Sequence, residues 1–239
     1  MERHYELMLI PLTREKFEQI IPLIATGPQY AYYWGKWQDL LNRLLVSVVA
    51  IVVILLLNTI VGEGAHALVL LLAVIGGLYW LWAPVYWASL RNASYRKYRY
   101  CGFWQARILE IFITEDLLRE EETVNERGDL VVIENRERRI NLVLGDETGF
   151  EAEVNAPLQR IHKAIRTGQT AQLLVLSNQP NLARIDKITD AYLPSQNLWI
   201  GEYPWLQRDV FGEVGQELER QPRPKYSDRP RSRYNQRRR

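Results

Sequence analysis

The sequence predicts a membrane α-helical hairpin of two transmembrane helices, joined to a small soluble mainly-β domain of α+β type, an OB- or SH3-like barrel. Three observations predict it. Two uncharged apolar runs, Leu44–Val61 and Ala67–Leu90, are separated by one short polar break. Lys and Arg flank this pair on one side only. Beyond Arg99 the apolar residues recur at strand rather than helix spacing. The expected order is an N-terminal cytoplasmic segment with an amphipathic helix and an aromatic approach (1–43), the hairpin (44–90) and a basic juxtamembrane stretch (91–103). The mainly-β domain (104–212) and a disordered basic tail (213–239) follow.

The first run, LLVSVVAIVVILLLNTIV, rises through about 27 Å as a helix, close to the hydrocarbon thickness of a bilayer. The second is longer and can cross with tilt. No Asp, Glu, Lys or Arg lies in either, which argues against a proton relay or an ion path. Lys36 and Arg43 precede the pair, and Arg91, Arg96, Lys97, Arg99 and Arg107 follow it, whereas the connecting loop holds only Glu63 and His66. The positive-inside rule therefore puts both termini in the cytoplasm. Gly76 and Gly77 permit close approach of another helix, Ser47 can bond across such an interface, and Pro84 can kink the second helix near its end.

Upstream, Leu12–Ile21 reads as a short helix with Thr13 as its N-cap and Pro22 as its stop. It can lie on the headgroups or pack on its own soluble domain. Tyr30, Tyr32, Tyr33, Trp34 and Trp37 crowd the approach to the first run, and Tyr79, Trp80, Trp82, Tyr86 and Trp87 crowd the end of the second. Both clusters fall at the cytoplasmic interface, as an aromatic belt or as a platform for a pigment, a quinone or a further helix. His66 is the one histidine near the membrane. It can be plain loop or a chlorophyll or haem ligand. No cofactor is expected, and a chlorophyll or carotenoid is the alternative.

Ala106–Thr114, Asp129–Glu134 and Arg139–Leu144 read as strands, and Phe150, Ala152 and Val154 alternate with Glu151 and Glu153 as in a half-buried one. Gly145–Gly149 is a hairpin connection whose acids do not alternate as calcium ligands do. Pro157–Arg166 reads as a short helix capped by Asn155, with His162 beside its inner face, and Gln172–Leu176 as a further strand. The aromatic and proline-rich stretch around Asp190–Pro194 and Gly201–Leu206 either straps over a barrel or offers a surface to a partner.

The last twenty residues hold nine Lys or Arg against Asp228, a net charge of +8, so the rest of the chain carries −6 of the total of +2. Arg231, Arg233, Arg237, Arg238 and Arg239 join Arg91, Arg96, Lys97 and Arg99 as candidate lipid-facing charges, each contributing about 1 kcal/mol near an anionic surface. The same tail suits ribosomal RNA or an acidic protein; DNA is not expected. Three scattered histidines, the single Cys101 and the absence of a phosphate loop, zinc spacing or nucleophile elbow argue against an enzyme.

The segments PLTREKFEQIIPLIATGPQYAYYWGKWQDLL, LGDETGFEAEVNAPLQRIHKAIRTGQTAQLLVLSN and DAYLPSQNLWIGEYPWL resemble a family of membrane proteins from cyanobacteria and plastids of unassigned biochemistry, some labelled phosphate transporter permease. The resemblance implies a photosynthetic membrane, the thylakoid or else the plasma membrane, and brings no catalytic residues. The layout is also similar to that of a photosystem I assembly protein. The expectation is thus a non-enzymatic accessory or assembly factor with the bilayer and photosystem subunits as partners. A transporter subunit and a lipid- or ribosome-binding tether are the alternatives. A permease needs a solvated path, which one uncharged hairpin lacks.

Overall fold

The computed structural model describes residues 9–35, 37–60, 66–124, 130–147 and 149–220. In chain order these form β1 (Leu9–Leu12), α1 (Arg14–Ile20), α2 (Gly27–Trp34), α3 (Trp37–Asn58), α4 (His66–Gly77) and α5 (Tyr79–Arg96). Then come β2 (Tyr100–Val124), β3 (Leu130–Gly145), β4 (Glu151–Pro157), β5 (Thr170–Ser177), β6 (Lys187–Ile188), β7 (Ala191–Leu193), β8 (Leu198–Ile200) and α6 (Arg208–Arg220). They make two units, a helical one over Ile21–Lys97 and an α+β one over Met1–Ile20 and Tyr98–Arg239. The N-terminal segment expected as one piece, 1–43, is therefore divided between them.

The α+β unit is one antiparallel sheet with the path β4-β3-β2-β5-β7-β8. Among the described residues no ladder joins β4 to β8, so hydrogen bonds do not close the sheet into the barrel of the sequence reading. Its centre is β2, whose Cys101–Trp104 pair with β1 on one edge and with β5 on the other. Beyond Arg107, β3 takes over the edge that β1 leaves. Trp104, Ile108, Leu142, Leu144, Leu173 and Val175 fill one face of the sheet. On the other, Phe103 stacks on Phe211 of α6 at 5.1 Å between ring centres. Seven of the eight residues of β5 are buried for this reason. A strand covered on both faces reads as an apolar run rather than an alternation.

Of the two places open to the first helix, α1 takes its own soluble unit. Phe17 and Ile20 are buried, Lys16 pairs with Glu217 of α6, and Gln207 N–H donates to Ile20 O at 2.8 Å. Thr13 caps it as expected, its Oγ1 accepting from Lys16 N–H at 3.4 Å.

Several expected boundaries are corrected. Of the strands expected at Asp129–Glu134 and Arg139–Leu144, Leu130–Glu134 and Arg139–Leu144 belong to one strand, β3, Asp129 lies outside the described residues, and Ala106–Thr114 is the middle of the 25-residue β2. The charges that interrupt the apolar pattern there face opposite charges: Glu115 lies 3.9 Å from Arg136 and from Arg138, and Asp116 lies 3.4 Å from Arg139. Pro157–Arg166 holds only a 3-10 turn over Arg160–Ala164, with Gln159 rather than Asn155 at its N-cap. The basic stretch 91–103 is the end of α5 and the start of β2, and 213–220 continues α6. The rest of the tail lies outside the described residues.

The two membrane runs take different forms. Among the described residues α3 is the one single helix long and apolar enough to cross a bilayer, and α4 with α5 reaches that length only as a bent pair. The second run breaks at Leu78 into α4 and α5, bent by 72°. Pro84 is not the cause, since it sits inside α5 beyond the break.

Candidate interfacial site

In the helical unit α4 runs antiparallel to α3. His66 Nδ1 lies 3.2 Å from Asn58 Oδ1 at one end, and a Cβ on Gly76 would stand 3.0 Å from Ala50 Cβ at the other. A Cβ on Gly77 would stand 3.1 Å from Ile51 Cδ1. The two glycines thus serve close packing inside this chain. Gly76→Val is expected to push α3 and α4 apart at a cost of about 1–3 kcal/mol, read as a lower thermal midpoint in detergent.

A helix end strands backbone N–H and C=O groups, and in lipid each must find a partner. At Leu78 both kinds do. Ser47 Oγ on α3 accepts from Trp80 N–H at 3.1 Å, so the expected cross-helix serine bond closes the start of α5. Trp82 Nε1–H donates to Ile75 O at 2.9 Å and closes the end of α4. Ser47 lies one turn beyond Arg43, so the chain leaves the antiparallel pair near the level where α3 turns polar.

From there α5 and α2 form an aromatic shelf. Helix α2 was not foreseen, although Thr26-Gly27-Pro28-Gln29 is a readable N-terminal signature: Thr26 N–H donates to Gln29 Oε1 at 3.1 Å, with Pro28 in the first turn. Gln29 also accepts from Asn92 Nδ2 at 2.7 Å, and both side chains are fully buried. Pro84, Ala88 and Asn92 make the small inner stripe of α5 against which α2 packs, and its outer face exposes Trp82, Tyr86, Trp87 and Leu90. Tyr30 O–H donates to Leu81 O at 3.3 Å. Trp34 meets Trp80 edge-on at 6.1 Å, so the structure joins the two aromatic clusters. Trp37 is 68% exposed at the head of α3.

The basic residues divide. Arg91 lies over the Tyr32 ring at 5.7 Å, and Arg96 Nη1 donates to Ile21 O at 2.9 Å, so both are bound into the shelf. Lys97 and Arg99 are exposed, Arg99 on the α+β unit. Arg231, Arg233, Arg237, Arg238 and Arg239 lie outside the described residues. Arg43, which the sequence reading used only for topology, donates through Nη2 to Trp34 O at 2.8 Å and through Nε to Asp39 O at 3.0 Å.

Among the described residues no three His, Cys, Asp or Glu side chains gather as a metal site would need. Burial pushes the Cys101 thiol up to about 12, against the pull of Arg14, so it is not a thiolate at neutral pH. His162 is buried, its pKa lowered by desolvation, and its Nδ1 accepts from Gln159 N–H at 3.2 Å. It is a buried structural histidine with its ring nitrogen satisfied.

A family model described as a family of unknown function (DUF8619) matches residues 10–221. Neither the curated proteins nor the solved structures contain a match to the chain.

Proposed function

The chain belongs to that family, DUF8619, and on this premise we propose a non-enzymatic integral-membrane accessory or assembly factor for photosynthetic membrane complexes. In this reading α3 crosses the bilayer and the bent pair α4 and α5 together returns, so that both termini are cytoplasmic and α2 lies with the aromatic outer face of α5 at the cytoplasmic interface. The apolar sides of α3 and α4 support insertion: Leu45, Leu55, Leu56, Leu68 and Leu70 are each more than half exposed.

The observation that carries the partner role is the ribbon of β2 and β3. Beyond Glu115 and Arg138 these strands pair, among the described residues, only with each other, up to Val124 and Leu130, a length of about 30 Å. A two-stranded ribbon is marginal by itself and leaves both outer edges open to pairing. Leu109, Ile113 and Leu117 expose about half their surface along β2. Such an arm gains most of its order from a protein it grips. The photosynthetic setting rests on the sequence resemblance.

Replacing residues 116–137 by a short turn is expected to leave the sheet folded, as judged by circular dichroism. The same change should cut recovery of photosystem subunits in mild-detergent purification by about tenfold, the factor that some 1.4 kcal/mol of contact supplies. Full-length protein that purifies alone, or that alkaline carbonate strips from membranes, would refute the reading.

A further inference from the structure

We infer that the cleft between the end of α2 and the first two turns of α3 is a headgroup site for an anionic membrane lipid with a singly charged phosphodiester or sulfonate. The cleft measures about 430 Å³, within the range of small-ligand sites, and is lined by Tyr32, Tyr33, Asp39, Asn42 and Arg43.

Arg43 is held there rather than free to sweep. Its two carbonyl bonds fix the guanidinium, which also lies over the Trp34 ring at 5.8 Å. Nη1 of Arg43 and the Asn42 amide make no bond to described residues, which leaves N–H donors for a ligand oxygen. The Tyr32 and Tyr33 phenols add polar groups, and Arg91 over Tyr32 adds a second cation on the same shelf.

The charge balance selects the class of anion. Asp39, whose carboxylate packs against the Cβ-less face of Gly35, offsets one of the two arginines and leaves a net charge of +1 among the described residues. That matches a monoanionic diester or sulfonate better than the more highly charged inorganic phosphate. The other end of such a ligand is also provided for. On the side of α3 that carries Asn42, the residues three, four and seven positions on are Leu45, Val46 and Val49, exposed by 62%, 48% and 52%. Acyl chains can lie along them directly below the headgroup.

The inference rests on the reading that α3 enters the bilayer. The test is native mass spectrometry of the full-length chain in detergent. Phosphatidylglycerol and phosphatidylcholine with the same acyl chains are added at equal mole fraction, and inorganic phosphate is added in a third arm. Phosphatidylglycerol should be retained about tenfold over phosphatidylcholine, the factor of one charge-assisted hydrogen bond. Arg43→Gln should abolish the preference. Asn42→Leu, at an exposed position with no role in the fold, should reduce it severalfold with an unchanged circular dichroism spectrum. Equal retention of the two lipids, or a preference that survives Asn42→Leu, overturns the site. Displacement of phosphatidylglycerol by millimolar inorganic phosphate overturns the lipid as occupant. If carbonate extraction releases the protein, the membrane reading fails with it; if the protein stays in the membrane but shows no preference, only this inference fails.

Discussion

Trp104→Ala is expected to remove most of the stability of the α+β unit, about 3–5 kcal/mol out of a typical 5–15. Trp104 is fully buried on the central strand, between Leu9 of β1 and Leu173 of β5. Its ring meets Phe150 at 4.6 Å, and its Nε1–H donates to Asp146 Oδ2 at 2.8 Å. Truncation therefore opens a large cavity and also takes a donor from a carboxylate whose other oxygen holds Phe150 N–H at 3.3 Å. The readout is the near-ultraviolet melt of the detergent-solubilised protein, which should shift down by about 6–20 °C, at roughly 2–4 °C per kcal/mol in a unit of this size. Trp104→Phe keeps part of the ring contact, loses the hydrogen bond and leaves a smaller cavity, and should cost about 1–3 kcal/mol. Equal melting of Trp104→Ala and the parent would contradict this account of the core.

The second large effect is a stability that falls as pH rises. Asp190 is buried, and desolvation pushes its carboxyl up to about 8, against its own backbone N–H, those of Trp205 and Leu206, and the Arg208 charge, which all pull it down. In the unfolded chain the same group titrates near 4. Between these values the folded state binds the extra proton, so its stability is greatest below about pH 4, declines as pH climbs to about 8 and is level above that. The difference amounts to as much as roughly 5 kcal/mol. Asp190→Asn keeps an oxygen for the 3.1 Å bond from Trp205 N–H and cannot ionise, so its melting temperature should lose this slope and exceed the parent's at pH 9. A parallel decline in both proteins would assign the slope to other groups.

The same aspartate explains the aromatic and proline-rich stretch left open between a strap and a partner surface. Tyr203, Trp205 and Leu206 are buried. Gly201 lies so near Asp190 that a Cβ there would stand 2.5 Å from the Asp190 Cβ. The stretch straps the sheet, and the acid that anchors it gave no sign in the sequence beyond its position before a short apolar run.

Of the interfacial site, the aromatic residues, the paired glycines and Ser47 were legible, because residue type and helical spacing mark them. The polar pair Gln29 and Asn92 was not, since the two lie 63 positions apart and neither is unusual alone. Asp146 was read as turn chemistry, whereas its carboxylate also holds a tryptophan 42 positions upstream.

What the sequence determined unaided was whatever neighbours settle between themselves: the apolar stretch that becomes α3, the Thr13 cap, the alternation of β4 and the turn before it. A run without charges declares that it avoids water, whatever the rest of the chain does. Only the tertiary structure decided that the second run breaks at Leu78, that α1 rests on α6, and that two charged strand segments extend one long ribbon. Each outcome depends on a partner distant in sequence, such as the Ser47 oxygen for Trp80, the Ile20 carbonyl for Gln207 and the Asp116 carboxylate for Arg139. A hydrogen-bonding group accepts whichever partner folding brings within about 3 Å, and local pattern carries no information about which that will be.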